Sequence, residues 1–327
     1  MRNAVKVAGV AASTALVLSG CGGAGQAPAG GDGYPTSIQN CGHEVRIDRK
    51  PERIVALGPS EVATLQAAGA APKLVGRDDA GAKSDPYPPQ LRAAVASVPQ
   101  LGQGGEVTRE NVIDLQPDLV VGSVTETVTP ETLGAVGIPM VSLAGNCGSN
   151  HAPGTGDGTA DFDDVATDLE TLGRLAGTSE QASAAVADMR GRVAGAKPPP
   201  AVAGKSAAAA IVFQNGFEVY GRQSMAHTQL QALGLRDVFG DAPQRVFEAS
   251  VEDLINRNPD VVMLLSYGES DAAAKEKFLR IPGAANLTAV RNNALFVQPY
   301  EFSSQGVLAV NGLENMSRSL AAQTNPR

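Results

Sequence analysis

The chain has 327 residues, 43% of them hydrophobic and 18% charged, with a formal net charge of −8. That composition describes a globular protein with a sizeable core and room for about two domains of ordinary size. The negative charge argues against nucleic acid as a partner, which calls for basic patches, and against adsorption to anionic membrane through a basic face.

In chain order the first feature is an address. Arg2 and Lys6 precede the apolar run "VAGVAASTALVL", which is too short to span a bilayer and ends in "LSGC", Leu18 to Cys21. Basic start, apolar stretch and small residue before cysteine make up a bacterial lipobox. Residues 1–20 are therefore predicted to be removed and Cys21 lipidated, so that the chain is tethered outside the cytoplasmic membrane by lipid alone. "CGGAGQAPAGGDG", residues 21–33, reads as a flexible tether, and folded structure is expected from Tyr34. Lipidation leaves Cys41 and Cys147, each within "NCG". An even remainder in an oxidising compartment suggests a disulfide. Two free thiols are one alternative. A metal set with His43 and His151 is the other, although C-x-H and C-x3-H are not the spacings of a familiar zinc site.

In "HEVRIDRKPERIVALGPS", Val45 and Ile47 alternate with polar residues, a turn falls at Lys50-Pro51, and "RIVALG" is a buried strand. "EVATLQAAGA" is predicted helical and "KLVG" a second strand; a loop with Pro86, Pro88 and Pro89 follows. Next comes "TRENVIDLQPDLVVG", Thr108 to Gly122, then a strand in "GIPMVSLAG". "DFDDVATDLETLGRLAG" has Asp161 as N-cap, with Phe162, Val165, Leu169, Leu172 and Leu175 on one face. "TSEQASAAVADMRGRVAGAK" starts at a Thr178 or Ser179 cap and lies where a connector between two lobes would lie. Beyond it come a strand in "SAAAAIVFQ", a helix in "TQLQALGL", the phrase "SVEDLINRNPDVVML" (Ser250 to Leu264), a strand in "RNNALFVQ" and a terminal helix. Strands alternating with helices signal parallel sheets with crossover helices in each half.

The two phrases align without a gap, Glu110 over Glu252, Pro117 over Pro259 and Asp118 over Asp260. They mark equivalent elements of two similar lobes. Thr108 and Ser250 are predicted N-caps, and each Glu stands in a first helical turn, where a carboxylate suits the helix dipole.

Together "PERIVALGPSEVATLQAAGA", "ENVIDLQPDLVVG", "EDLINRNPDVVML" and "AVRNNALFVQP" resemble the substrate-binding lipoproteins of bacterial ABC importers, in the subclass for ferric siderophores, haem and vitamin B12. The similarity covers essentially residues 35–323. It implies two similar α/β lobes with mostly parallel sheets, residues 34–177 and 198–327, joined by one long helix at 178–197, with the ligand cleft between them. It also implies that Glu110 and Glu252 dock against arginine pockets of a dimeric permease with its ATPase, a role compatible with helix capping.

Loops at the C-terminal ends of strands are where α/β sheets bind ligands. That rule selects "GPSE", "GRDD" and "GSVTET" in the first lobe, with Ser60, Arg77, Asp78, Ser123 and Thr125. In the second it selects "FEVYGRQS", "SYGES" and "PYEFS". Arg77 and Arg222 suit an anionic ferric complex, and Tyr220, Tyr267, Tyr300 and Phe302 supply apolar walls.

An enzyme is not expected. "GQGG" (Gly102 to Gly105) does not complete G-x-G-x-x-G, there is no P-loop, G-x-S-x-G or H-E-x-x-H, and the three histidines stand in no triad spacing. The expectation is a monomeric capture lipoprotein with no cofactor of its own, whose ligand carries Fe3+. Ferric siderophore ranks first, haem second and cobalamin third, since a Trp-free cleft offers little stacking surface. A cell-surface adhesin is the reading of another class, and would need neither paired glutamates nor a cleft.

Overall fold

A computed structural model describes residues 33–78, 87–102, 106–147, 160–197, 200–213 and 216–324. Cys21, Asp79, residues 103–105 and His151 lie outside them.

The described chain opens with a hairpin absent from the sequence reading except for its second strand: β1 (Thr36–Asn40) pairs antiparallel with β2 (His43–Ile47). Cys41 and Gly42 make the turn at φ 48° and 79°, the left-handed pair that a two-residue hairpin loop requires. The N-terminal lobe is a four-stranded parallel sheet in the order β4-β3-β5-β6. Its strands are β3 (Ile54–Leu57), β4 (Leu74–Asp78), β5 (Leu119–Gly122) and β6 (Met140–Val141). Between them run α1 (Pro59–Ala67), α2 (Pro89–Val95), α3 (Arg109–Asp114) and α4 (Pro130–Gly134). Next come α5 (Phe162–Ala176) and α6 (Ser179–Gly195), the connecting helix. Asp161 caps α5 as predicted, accepting from the Asp163 and Asp164 amides at 2.8 and 2.9 Å. Thr178 stands at the start of α6 but accepts no amide there. Its hydroxyl donates instead to the Ala68 carbonyl at 2.6 Å, fastening α6 to the end of α1.

The C-terminal lobe has six strands in the order β10-β8-β7-β11-β12, with β9 also on β7. The strands are β7 (Ser206–Val212), β8 (Phe217–Tyr220), β9 (Arg236–Asp237), β10 (Val246–Glu248), β11 (Val261–Ser266) and β12 (Leu295–Pro299). The helices are α7 (Met225–Ala232), α8 (Val251–Arg257), α9 (Asp271–Leu279), α10 (Thr288–Arg291) and α11 (Leu308–Thr324). β7, β11 and β12 are parallel, whereas β8 and β10 are antiparallel additions. The start of "FEVYGRQS", expected as loop, is thus strand, because Phe217 and Val219 turn inward against β7.

The repeat earns its length through matched contacts. The Thr108 and Ser250 hydroxyls accept from the Asn111 and Asp253 amides at 3.3 and 3.0 Å. Each helix ends on a left-handed residue before its proline, Gln116 at φ 46° and Asn258 at φ 40°. Asp118 accepts from the Glu52 and Arg53 amides, and Asp260 from the Ser206 amide and hydroxyl, so each aspartate pins the entry of its lobe's first sheet strand. The bond to Ser206 comes first among the causes that hold the Asp260 carboxyl below its usual value. Its contribution is therefore present above the ordinary carboxylate range and is lost as pH falls through the depressed folded value. Asp260→Ala is expected to cost about 2 kcal/mol at pH 7 and less at pH 3, as measured by urea melts.

The lobes share two helices. α6 leaves the first, and α11 begins in its core with Leu308, Ala309 and Val310 before burying Leu313, Met316 and Leu320 in the second. Arg192 of α6 and Glu314 of α11 meet in a two-pronged ion pair at 2.9 and 3.0 Å.

Candidate ligand cleft

The C-terminal strand ends of both sheets converge between the lobes. On the first wall, β3 runs straight into α1, and the turn is Gly58 at φ 130°. A Cβ there would fall 2.2 Å from Glu61 Oε2 and displace that carboxyl end, and the positive φ favours glycine. Glu61 is only 3% exposed. Asn146 Nδ2 donates to Ser123 Oγ at 3.1 Å and, more weakly, to Glu61 Oε1 at 3.4 Å. Burial, with a smaller contribution from Asp78, pushes the Glu61 carboxyl up to about 8. Glu61 is therefore predominantly neutral at pH 7, a hydrogen-bonding acid rather than a charge.

Asn146 belongs to the turn after β6. The turn ends at Cys147, which is disulfide-bonded to Cys41 of the hairpin. The bond uses both sulfurs and so removes the thiolates that the Cys2His2 alternative needs. Among the described residues no group of three or more metal-binding side chains exists. Asn40 and Ser142 bond side chain to backbone in both directions, at 2.8 and 2.9 Å, and Asp168 accepts from the Ala144 amide. Burial raises the Asp168 carboxyl well above its usual value.

On the opposite wall stands Arg245, whose carbonyl accepts from the Gly221 amide just before β10. Its guanidinium crosses the cleft, donating to Asn146 Oδ1 at 3.4 Å and to the Gly145 carbonyl. Burial lowers it from its usual value, and the Tyr300 and Tyr220 hydroxyls act on it electrostatically. Tyr220, at the end of β8, is buried, and burial raises its phenol well above the usual value. Tyr267 and Tyr300 follow β11 and β12 and pack edge to face, ring centroids 5.7 Å apart, with Tyr267 still 40% exposed.

Of the residues chosen from sequence, Asp78 ends β4, Tyr220 ends β8, and Ser123, Tyr267 and Tyr300 directly follow β5, β11 and β12, whereas Ser60 is buried in the first turn of α1. Arg77 is half-buried in β4, its backbone bonded to the segment Pro99–Leu101. Three others have surroundings of their own. Thr125 Oγ1 accepts from the Val128 amide of its own loop, Arg222 is exposed, and Phe302 packs on the first lobe's core. The sequence reading missed Asn146 and Arg245. Asn146 had a weak signal as the neighbour of a pairing cysteine. Arg245 had none, since it precedes an antiparallel edge strand that the strand-end rule does not cover. Glu110 and Glu252 are both exposed at their helix starts.

Residues 54–301 match the periplasmic binding protein family. The chain belongs to that family. The family consists of transport binding proteins rather than enzymes. A solved structure of an ABC-type Fe3+-hydroxamate transport system from Saccharomonospora viridis is 34% identical to this binding protein. It superimposes with a TM-score of 0.74 over 88% of this chain and 100% of that one. The uncharacterized ABC transporter substrate-binding lipoprotein YvrC of Bacillus subtilis is 22% identical over 95% of each chain. A cobalamin-binding protein of Halobacterium salinarum is 28% identical over 70% of this chain, and the match spans 58% of that relative's length. Among the described residues no helix is long and apolar enough to cross a membrane.

Proposed function

We propose that this periplasmic binding protein is a lipid-anchored capture subunit. Tethered through Cys21, it takes a ferric siderophore into the cleft and presents it to an ABC permease through Glu110 and Glu252. The observation that carries the reading is a half-buried arginine that reaches between the lobes to an amide oxygen and a carbonyl, with two phenols near enough to act on it electrostatically. Arg245 contacts Gly145 and Asn146 from the side of Tyr220 and Tyr300. A cationic donor set beside neutral oxygens and aromatic edges suits a chelate whose outer shell is oxygen-rich and anionic. The 34% identity to the Fe3+-hydroxamate system supports the same class. The ferric ion is cargo, held by the chelator. The neutral Glu61 adds a donor to the first wall without repelling an anion.

Calorimetric titration of the full chain with ferric hydroxamate, catecholate and citrate chelates, haem and cobalamin, each metal complex beside its metal-free form, tests this. One ferric class is expected to bind, and Arg245→Ala to lower its affinity about tenfold or more. Cobalamin binding alone would favour the class suggested by the Halobacterium relative. A panel with no binding would end the reading.

The docking role has a separate readout. Glu110→Ala combined with Glu252→Ala is expected to leave chelate affinity unchanged and to abolish uptake in cells carrying the cognate permease. Uptake at the wild-type rate would leave the two glutamates as helix-capping groups only.

A further inference from the structure

The first wall of the cleft hangs on one short turn. Leu143 to Cys147 carries Asn146 toward Ser123 and Glu61, and offers the Gly145 carbonyl and Asn146 Oδ1 to Arg245. The same turn touches the segment that crosses between lobes, since a Cβ on Gly145 would lie 2.6 Å from Gln305 Cγ. Three fastenings hold it from behind: the disulfide to Cys41, the reciprocal Asn40–Ser142 pair, and Asp168 on the Ala144 amide. Packing holds only part of it: Leu143 lies in the first lobe's core and Gly145 is pressed against Gln305 and Ala160. A cavity of about 90 Å3 lies behind the turn, lined by Asn40, Cys41, Ser142, Cys147, Asp168 and Thr171. With space there, discrete bonds decide where the turn sits. Two of the three fastenings come from one hairpin, whose Cys41-Gly42 turn holds φ values of 48° and 79°.

We propose that the Cys41–Cys147 disulfide is a positioning element of the cleft. It fixes the 143–147 turn so that Asn146 and the Gly145 carbonyl meet Arg245 of the opposite lobe, and thereby sets the separation of the two walls. Only the last consequence, an effect on ligand affinity, rests on the functional reading above. A disulfide that served as a general staple would lower stability without moving Arg245.

The test combines hydrogen–deuterium exchange and thermal melts on the full chain in detergent, comparing wild type, C41S/C147S, N146A and the triple variant. Positioning predicts that exchange over 143–147 and 242–247 quickens by more than the general acceleration that the lower global stability brings. It also predicts that N146A lowers the melting temperature of wild type by several times more than it lowers that of the cysteine-free chain, because coupled sites are not additive. A general staple predicts diffuse acceleration with no excess at 143–147 or 242–247, and additive shifts; that result overturns the proposal.

Should C41S/C147S not fold, Asn40→Ala keeps the disulfide and loosens the neighbouring fastening. It is expected to quicken exchange at 143–147 and 242–247 together, and quickening at 143–147 alone would overturn the proposal. In the ligand arm, the ferric chelate that binds wild type is expected to lose about tenfold in affinity in C41S/C147S, with N146A adding less than about twofold in that background. If no chelate binds any variant, the functional reading fails while exchange and melts still decide the positioning role.

Discussion

Glu61→Gln is expected to remove a loss of stability that the wild-type chain shows as pH rises from 5 to 8. The carboxyl has an ordinary value of 4.5 and is pushed up to about 8 in the fold, with burial as the leading cause. Between those two values the unfolded chain has released the proton and the folded chain retains it. The unfolded state therefore binds fewer protons, and stability falls with rising pH across the window. The full effect is on the order of 4 kcal/mol, reached near the upper end of the window. Glutamine copies the neutral acid in shape and keeps an oxygen for Asn146 Nδ2, so its curve should lack this component. Asp168 and Glu301 are also raised by burial and tilt both curves, Glu61 being a lesser cause of the Asp168 shift. The difference between wild type and E61Q, measured by calorimetric melts from pH 5 to 8.5, therefore reports Glu61 together with its smaller effect on Asp168. Parallel curves would show that Glu61 already ionises freely and that the wall is charged at pH 7.

Removal of the disulfide by C41S/C147S is expected to cost about 4 to 5 kcal/mol in the chain-entropy account, in which the unfolded chain regains the freedom of a long loop. The cysteines are 106 residues apart, which places the bond near the upper end of that account. For a chain of this size the melting temperature should fall by about 10 °C. Guanidinium melts under non-reducing conditions give the free energy directly. A loss below about 1 kcal/mol would mean that Asn40, Ser142 and Asp168 already restrain the unfolded ensemble or that the bond strains the native turn.

What the sequence disclosed follows from range. Signals carried within a few residues were legible. The amphipathic face of α5 and its Asp161 cap, the helix-stop-strand phrase with its Thr108 and Ser250 caps, and the strand ends at Ser123, Tyr267 and Tyr300 all appear where expected. The roles of Asp118 and Asp260 were not legible, because their partners at Arg53 and Ser206 lie 65 and 54 residues away. Short antiparallel strands escaped for another reason. β1, β8 and β10 have 5, 4 and 3 residues, too few for alternation to stand out, and β10 brought Arg245 with it. Thr125 stands in the loop after β5, where its hydroxyl oxygen accepts from the Val128 amide. Pattern located the loop and could not say which way the side chain faced.

The second helix shared by the lobes changes what closure can mean. A single connecting rod would let the lobes both swing and twist. Here α11 is embedded at one end among Leu308–Val310 of the first core and further along among Leu313, Met316 and Leu320 of the second, and the Arg192–Glu314 pair ties it to α6. Two cross-tied struts resist twist and leave the lobes a swing. The exposed glutamates at the starts of α3 and α8 then keep their mutual orientation, and a swing that closes the cleft changes the distance between them alone.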